Sequence, residues 1–566
     1  MLAGPFSYLF GMSRTVVTEI TGQTSISLAF ERIAAAYARR PAFIGKGGLG
    51  SAYTYAEVSD LVRALAAGLA GEPYRHRNEV ALVSENRPEW PVAYLAVLAA
   101  GKTVVPIDPN LKPKELSYVL EHADIGLVFC SGRFEQTLLQ LRTGLTVFSF
   151  EENSPHSWTR LGTAAVPWEN TSFARTAALI YTSGTTGIPK AVELTHRNLL
   201  SNVEGARQAL GLDEQDVFIS VLPLHHTFEA TCGFLTPLLS GASIVYVRSL
   251  KSREILEDIG RNGGTVMCGV PLLYEKMYRS INRGLQAAPA ARRMLFHLLF
   301  GLSALGWRLG RKWGRKLFRR LRQKAGLDSI RMFVSGGAAI PPRIARFFNL
   351  VGFDFLQGYG MTECSPVISV NRPDNIRFGS VGPPLPNVEI RIDRPVAGGV
   401  GEILVRGPNV SPGYRGNPEQ TAELIRGGWL HSGDLGRMKG GHLWITGRAK
   451  NLIVSAAGKN IYPEEIEERL AESRYVLEAL VFGRDREGKQ GEEVHALIVP
   501  DMEQFTAEFG FVDGHPDVEN IEFVLKGVVG EINRHMADFK RISNFHVQLE
   551  ELEKTSARKI KRFMYR

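Results

Sequence analysis

The sequence predicts an α/β protein that closes with a small, separate α+β unit. Short apolar runs alternate with helical patterns along most of the chain, which is the rhythm of strands and covering helices. One of those runs, Thr176–Ile180, leads into a loop rich in glycine and hydroxyl residues. The alternation then restarts beyond Gly447-Arg-Ala-Lys-Asn451, which marks a boundary. With 566 residues the chain exceeds one core, and its length suggests about three or four folding units.

In order, Glu79–Val83 reads as a strand, Pro91–Ala99 as a helix and Thr103–Ile107 as a strand. Lys112–His122 has amphipathic helical spacing, and Ile125–Phe129 is again a strand. After the loop come a strand at Ala191–Leu194 and a helix at His196–Ala209. Thr195 suits the N-cap of that helix, because its hydroxyl accepts from a first-turn N–H. Val217–Val221 and Ser243–Val247 complete the strand candidates of this part. Beyond 451 the reading is a strand (Leu452–Val454), a glycine loop (Ala456–Lys459) and a helix opened by Pro463 with Glu464 and Glu465. Proline at the first helical position loses no hydrogen bond, and early carboxylates meet the positive end of the helix dipole.

Composition is that of a soluble globular protein, with 44% hydrophobic and 22% charged residues. No membrane span is expected: Val92–Ile107 contains Lys102, and Phe234–Val247 is short and broken. Met1–Met12 is apolar but lacks an early basic region, so it reads as a floppy or surface-docked start rather than a secretion signal. Cys130, Cys232, Cys268 and Cys364 are scattered without metal-ligand spacing, as expected of buried free thiols in a reducing cytosol. The net charge of +9 points to anionic partners. Most of that excess lies in the single segment 292–324, so nucleic acid is not the expected partner.

The chemistry concentrates in a few segments. In Tyr181-Thr-Ser-Gly-Thr-Thr-Gly-Ile-Pro-Lys190, seven of ten residues are Ser, Thr, Gly or Lys. Such a loop offers backbone N–H groups, hydroxyl donors and one ammonium to a polyphosphate. It lacks the Gly-x-x-x-x-Gly-Lys-Ser/Thr pattern, so ordinary phosphoryl-transfer ATPases are not implied. Ser335-Gly-Gly-Ala338 is small enough to let a flat ring approach the backbone. In Gln357-Gly-Tyr-Gly-Met-Thr-Glu363, Tyr359 offers a stacking face and Glu363 a carboxylate for a hard cation. Asp434 in Trp429–Gly436, with Arg448 after it, suits ribose hydroxyls, as an acidic residue does in dinucleotide sites. The tail Glu553–Arg562 is strongly basic. Taken one at a time, these segments also read as a polar loop, turns, a surface salt bridge and a solvated patch.

Taken in order, they resemble the adenylate-forming superfamily of acyl-CoA synthetases, peptide-synthetase adenylation domains and luciferases. The resemblance covers nearly the whole chain and rests on Tyr181–Lys190, Gly358–Glu363, Trp429–Gly436, Gly447–Glu467 and the tail. It implies a large N-terminal adenylation domain of several α/β subdomains (1–448) and a small mobile α+β C-terminal lid (449–566), hinged near 450, with the active site in the cleft between them. The implied chemistry is ATP-dependent activation of a carboxylic acid to an acyl adenylate, with Mg²⁺, followed by transfer to a thiol. Thr182, Ser183, Gly184, Thr185, Thr186, Gly187 and Lys190 would cradle the phosphates. Glu363, with Thr182, would bind Mg²⁺. Gly336, Gly337, Ala338 and Tyr359 would hold adenine, with Gln357, Gly358, Gly360 and Met361 of the same segment completing the nucleotide set. Thr362 would contact the α-phosphate region, while Asp434 and Arg448 hold the ribose. Lys559 aligns with the catalytic lysine, although Glu553 stands where proline is common and Arg558 where glycine is. Arg558 and Lys561 are its rivals in the alignment. Lys450 matches the hinge, and Asn451 stands where an acidic residue is frequent. The Ala457-Gly458-Lys459 loop would line the thiol tunnel. His226 would stand at the acyl end; the competing reading is a buried structural histidine.

Pro223-Leu-His-His-Thr-Phe-Glu229 and Val270-Pro-Leu-Leu-Tyr274 look like long-chain fatty acyl ligases more than aryl- or amino-acid-activating relatives. The expected substrates are therefore ATP, a fatty acid and coenzyme A. Acyl carrier protein is the rival acceptor, and a non-catalytic lipid-binding member is the rival from another class. Segment 292–324 has eleven Lys or Arg and no acidic residue. Leu295, Leu298, Leu299, Leu302, Leu305, Leu309, Trp313, Leu317 and Leu321 give it one apolar helical stripe. A basic amphipathic helix of this kind suits an anionic membrane surface, or packs its stripe on the core. The expected location is cytoplasmic, with peripheral inner-membrane docking through this segment.

Overall fold

A computed structural model describes residues 24–45, 51–142, 144–162, 171–182, 189–396, 398–485, 491–509, 518–554 and 560–565. The chain divides into two compact units, Met1–Glu389 with Val405–Leu430, and Ile390–Leu404 with His431–Arg566.

The first unit is built on two mostly parallel sheets. One has seven strands in the spatial order Gly413–Tyr414, Lys190–Thr195, Thr176–Thr182, Thr103–Ile107, Glu79–Val83, Leu127–Cys130 and Thr146–Ser149. The other has eight, in the order Val367–Val370, Asp354–Gly360, Met332–Ser335, Val266–Gly269, Val217–Ser220, Ser243–Tyr246, Pro41–Ile44 and Ala52–Thr54. Antiparallel pairs occur only toward the edges of these two sheets: Thr176–Thr182 with Lys190–Thr195 and Lys190–Thr195 with Gly413–Tyr414 in the first, Asp354–Gly360 with Val367–Val370 and Pro41–Ile44 with Ala52–Thr54 in the second. The central strands read as unbroken apolar runs because both sheet faces are covered. Every residue of Thr103–Ile107 and of Leu127–Cys130 is buried. Glu89–Ala99, apolar all round, buries ten of its eleven residues, and Trp90 stacks on Tyr94 at 5.3 Å between ring centroids.

Local signals decide several boundaries. Thr195 caps His196–Leu210: its Oγ1 accepts from Asn198 N at 3.1 Å, while Asn198 Oδ1 accepts from Thr195 N at 2.9 Å. The four cysteines are buried free thiols. Among the described residues, no helix is long and apolar enough to cross a membrane.

Segment 292–324 corrects the expectation of one continuous helix. Ala290–Arg308 is helical, but Gly310 takes φ +69°, and the chain resumes as two short helices, Gly314–Leu317 and Arg319–Lys324. A left-handed glycine ends a helix at low cost, whatever leucine spacing continues beyond it.

The second unit is α+β. Glu389–Asp393, Gly401–Arg406, Trp429–Lys439 and His442–Arg448 run side by side in one sheet. Val476–Asp485, Glu492–Pro500 and Asn544–Val547 form a second, whose apolar face packs with helices Pro463–Leu470 and Val518–Arg534 around Ile453, Ile466, Val481, Ile498 and Leu525. Pro463 occupies the first turn of its helix together with Glu464 and Glu465. The division at 448/449 falls inside this unit, directly after the strand His442–Arg448.

Candidate active site

Within the first unit, sheet order brings four of the chemistry-bearing segments into one chain of contacts. The strands that flank the glycine-rich loop pair antiparallel, with Thr182 opposite Lys190. Ser183, Gly184, Thr185, Thr186 and Gly187 lie outside the described residues. The Lys190 ammonium stands 5.1 Å from the centre of the Tyr414 ring. Tyr414, from the neighbouring edge strand, donates its hydroxyl to Glu363 Oε1 at 2.7 Å. Burial, reinforced by the Glu363 charge, pushes the Tyr414 phenol far above its ordinary value, so it stays a donor.

Glu363 rides on the short 3₁₀ turn Thr362–Cys364, which is clamped from both sides. Asn202 Nδ2 donates to the carbonyls of Cys364 and Val367 at 3.2 and 2.8 Å, and Asn409 Nδ2 to the same two at 3.1 and 3.2 Å. Ser411 N donates to the Glu363 carbonyl at 2.9 Å. Next door, the Thr227 and Thr362 hydroxyls are 3.4 Å apart, which joins the Pro223–Glu229 segment to the Gln357–Glu363 segment. Phe228 continues the chain, because a Cβ on Gly336 would stand 3.0 Å from its ring.

The parallel strands Met332–Ser335 and Asp354–Gly360 set the remaining groups side by side, with Ser335 in register with Gln357. Gly336 is buried, Gly337 (φ +86°) and Ala338 are exposed, and Tyr359 is half-buried. Gly358 pairs with Val370, and Gly360 with Val367, beside Met361. Small residues followed by a half-exposed aromatic ring are what a flat heterocycle needs.

Two adjacent histidines are separated by packing. His225 is buried against His226, with ring centres 4.2 Å apart, and its Nε2 lies 3.7 Å from Asp108 Oδ1. Burial, then the His226 charge, lowers its pKa to about 3, so His225 is a neutral structural ring. His226 is only half-buried and is the more accessible of the two.

The donor set at Glu363 fits Mg²⁺. A half-exposed carboxylate held at one oxygen is a hard-oxygen donor of the kind that shares the ion with phosphates and water. Among the described residues there is no cluster of three or more His, Cys, Asp or Glu able to cage a metal.

In the second unit, Asp434 and Arg448 are cross-strand partners, and Arg448 Nε lies 2.9 Å from Asp434 Oδ1. Asp434 is buried while the guanidinium is half-exposed, so the pair presents a fixed carboxylate and a reachable cation. Gly433, at φ +67°, turns its N–H onto Glu402 Oε1 at 3.1 Å. Lys450 is exposed on the 3₁₀ turn Ala449–Asn451, and Asn451 Nδ2 donates to Glu464 Oε1 at 2.8 Å. Gly458 (φ +67°) and Lys459 form a tight exposed turn closed by Gly458 N on the Ser455 carbonyl at 2.8 Å, with the Lys459 ammonium 5.5 Å from the Phe539 ring centre. Lys559 lies outside the described residues, as does Arg558. Three residues further on, Arg562 pairs with Glu467 and donates to the Val481 carbonyl at 3.1 Å.

Sequence reading missed Tyr414, Asn202 and Asn409, and it singled out the segment of Thr227 and Phe228 only for the acid. None belongs to a glycine-rich motif; the one available signal was the strand-ending Gly413-Tyr414, where Gly413 takes φ +135°.

Residues 30–415 match the family described as AMP-binding enzyme, and residues 450–566 match the AMP-binding enzyme C-terminal domain. The long chain acyl-CoA synthetase 7, peroxisomal, of Arabidopsis thaliana is 30% identical over 76% of this chain, a match spanning 66% of that relative's length. The long-chain-fatty-acid–CoA ligase FadD15 of Mycobacterium bovis is 30% identical over 80% of this chain and 78% of its own. Among solved structures, the o-succinylbenzoate coenzyme A synthetase MenE of Bacillus subtilis, in complex with ATP and magnesium ion, is similar at 25% identity. It superposes with a TM-score of 0.73 over 94% of this chain and 98% of its own. With both domains matched in order and the contact chain from Lys190 to Gly336 in place, this chain belongs to the AMP-binding enzymes.

Proposed function

We propose that the protein joins a long-chain fatty acid to the adenylyl group of ATP and then passes the acyl group to coenzyme A. The observation that carries this reading is the continuous set of contacts Lys190–Tyr414–Glu363–Thr362–Thr227, which lines up a cation, a carboxylate and hydroxyl groups.

In the first step a carboxylate oxygen of the acid bonds to the α-phosphorus, the bond to the β-phosphate oxygen breaks, and pyrophosphate leaves. The acid reacts as its anion, so no general base is needed. Acceleration comes from holding the reactants in line and neutralising charge on the phosphate oxygens. Thr182, Ser183, Gly184, Thr185, Thr186, Gly187 and Lys190 receive the phosphates. Gly336, Gly337, Ala338, Gln357, Gly358, Tyr359, Gly360 and Met361 form the adenine site, and Asp434 with Arg448 takes the ribose. Thr362 faces the α-phosphate, and Lys559 brings its ammonium to the same oxygens. Glu363 and Thr182 would hold Mg²⁺, which would supply further positive charge to the phosphates. In the second step the thiol sulfur bonds to the acyl carbon, its proton goes to solvent, and AMP leaves. Gly458 and Lys459 serve the thiol, His226 the acyl end, and Lys450 the hinge between a domain at 1–448 and one at 449–566.

Exchange of labelled pyrophosphate into ATP, run with acids from acetate to oleate, tests the first step. Exchange that rises with chain length supports the reading, whereas ADP as the nucleotide product sinks it. Offering coenzyme A and acyl carrier protein side by side identifies the acceptor.

A further inference from the structure

Helix Ala290–Arg308 has two apolar faces, and the fold covers one. The inward face is aromatic. Phe296 lies 5.2 Å from Phe318, Phe300 6.0 Å from Phe347 and Trp307 5.3 Å from Phe378, between ring centres. Ser303 Oγ donates to the Leu350 carbonyl at 2.7 Å between them. On the opposite side Met294, Leu295, Leu298, Leu302, Leu305 and Leu309 recur at helical spacing, and each is between 40% and 73% exposed. This outer strip runs about 22 Å at 1.5 Å per residue. A contiguous apolar strip of that length in water marks a surface that something covers.

Charge says what. No acidic residue occurs between Arg292 and Lys324, and eleven Lys or Arg do. Arg292 and Arg293 are exposed at one end of the strip, and Arg308, Arg311, Arg315 and Lys316 are exposed around the other. Self-association of such a face would set two unrelieved positive fields against each other. An anionic lipid surface answers both features, with acyl chains for the leucines and phosphates for the guanidinium groups.

We propose that the outer face of Ala290–Arg308 lies in the headgroup–acyl boundary of an anionic bilayer, docking the protein on a membrane without crossing it. Docking is independent of which acid the enzyme activates. Its use follows from the proposed function, since a fatty acid dissolved in the leaflet would be met at the surface where it resides.

The experiment is flotation of the full chain with vesicles of phosphatidylcholine alone or mixed with phosphatidylglycerol, at low and high salt. The expected result is recovery with the anionic vesicles at low salt, falling at high salt as the charges are screened. Leu298→Glu with Leu302→Glu should abolish that recovery without moving the melting temperature. Arg311→Gln, Arg315→Gln and Lys316→Gln together, which leave the apolar strip intact, should weaken it about a hundredfold. Should the leucine variant misfold, the charge variant decides alone. No recovery with anionic vesicles at low salt overturns the proposal, and so does recovery that neither variant changes. A wild-type dimer that the leucine variant dissociates also overturns it, assigning the face to a second copy.

Discussion

Tyr414 hands its hydroxyl to Glu363 at 2.7 Å across a separation of 51 residues, and Lys190 faces the same ring. The phenol therefore sits between the Lys190 ammonium and the Glu363 carboxylate, and it orients that carboxylate. A hydrogen bond to a charged group contributes about 1.5–3 kcal/mol. Tyr414→Phe should lower pyrophosphate exchange by roughly tenfold, on the order of the lower figure, and raise the Mg²⁺ concentration needed for half-maximal rate. Wild-type Mg²⁺ dependence in this variant would remove Tyr414 from the site. Glu363→Gln, which removes the charge itself, should cost at least about a hundredfold.

Asp434 and Arg448 are held together by strand pairing as well as by charge, so a substitution of either leaves the backbone register intact. Asp434→Asn should raise KM for ATP about tenfold with little change in kcat, as expected where a ground-state binding contact is lost. A fall in kcat at constant KM would place Asp434 in the chemical step instead.

Lys559→Ala should abolish acid-dependent pyrophosphate exchange yet leave thioester formation from supplied acyl adenylate largely intact. The two half-reactions, measured separately, check this. Equal loss of both would assign Lys559 a structural role.

Glu229 is buried and accepts from Ser220 Oγ at 2.6 Å; burial pushes its pKa up to about 8. Between the ordinary carboxylate value near 4.5 and about 8, the folded protein keeps this proton and the unfolded chain releases it. Stability from this group is therefore complete below that window and declines as pH rises through it, by on the order of a few kcal/mol. Glu229→Gln, neutral at every pH, should flatten the fall of melting temperature between about pH 5 and 8. An unchanged pH profile would mean that Glu229 is ionised in the fold.

Much of the local structure was readable because it rests on neighbours in sequence. The Thr195–Asn198 cap, the Pro463 helix start and the buried central strands follow from residue types a few positions apart, whose geometry any context must respect. The segments Tyr181–Lys190, Gln357–Glu363 and Trp429–Gly436 were readable for the same reason, since each carries its donors within ten residues or fewer. Gly310 shows the limit of spacing, because a periodic leucine pattern runs straight through the turn that ends the helix.

Assembly depended on which strands lie side by side, and periodicity carries no record of that order. It put Tyr414 on Glu363, Thr227 beside Thr362 and Phe228 under Gly336, all contacts between residues far apart in the chain. It also made unlike neighbours of two identical residues, burying His225 beside Asp108 and leaving His226 accessible. Residue chemistry said which groups the protein owns; the packing of one sheet edge against its loops decided which of them meet, because burial and distance are properties of the folded chain alone.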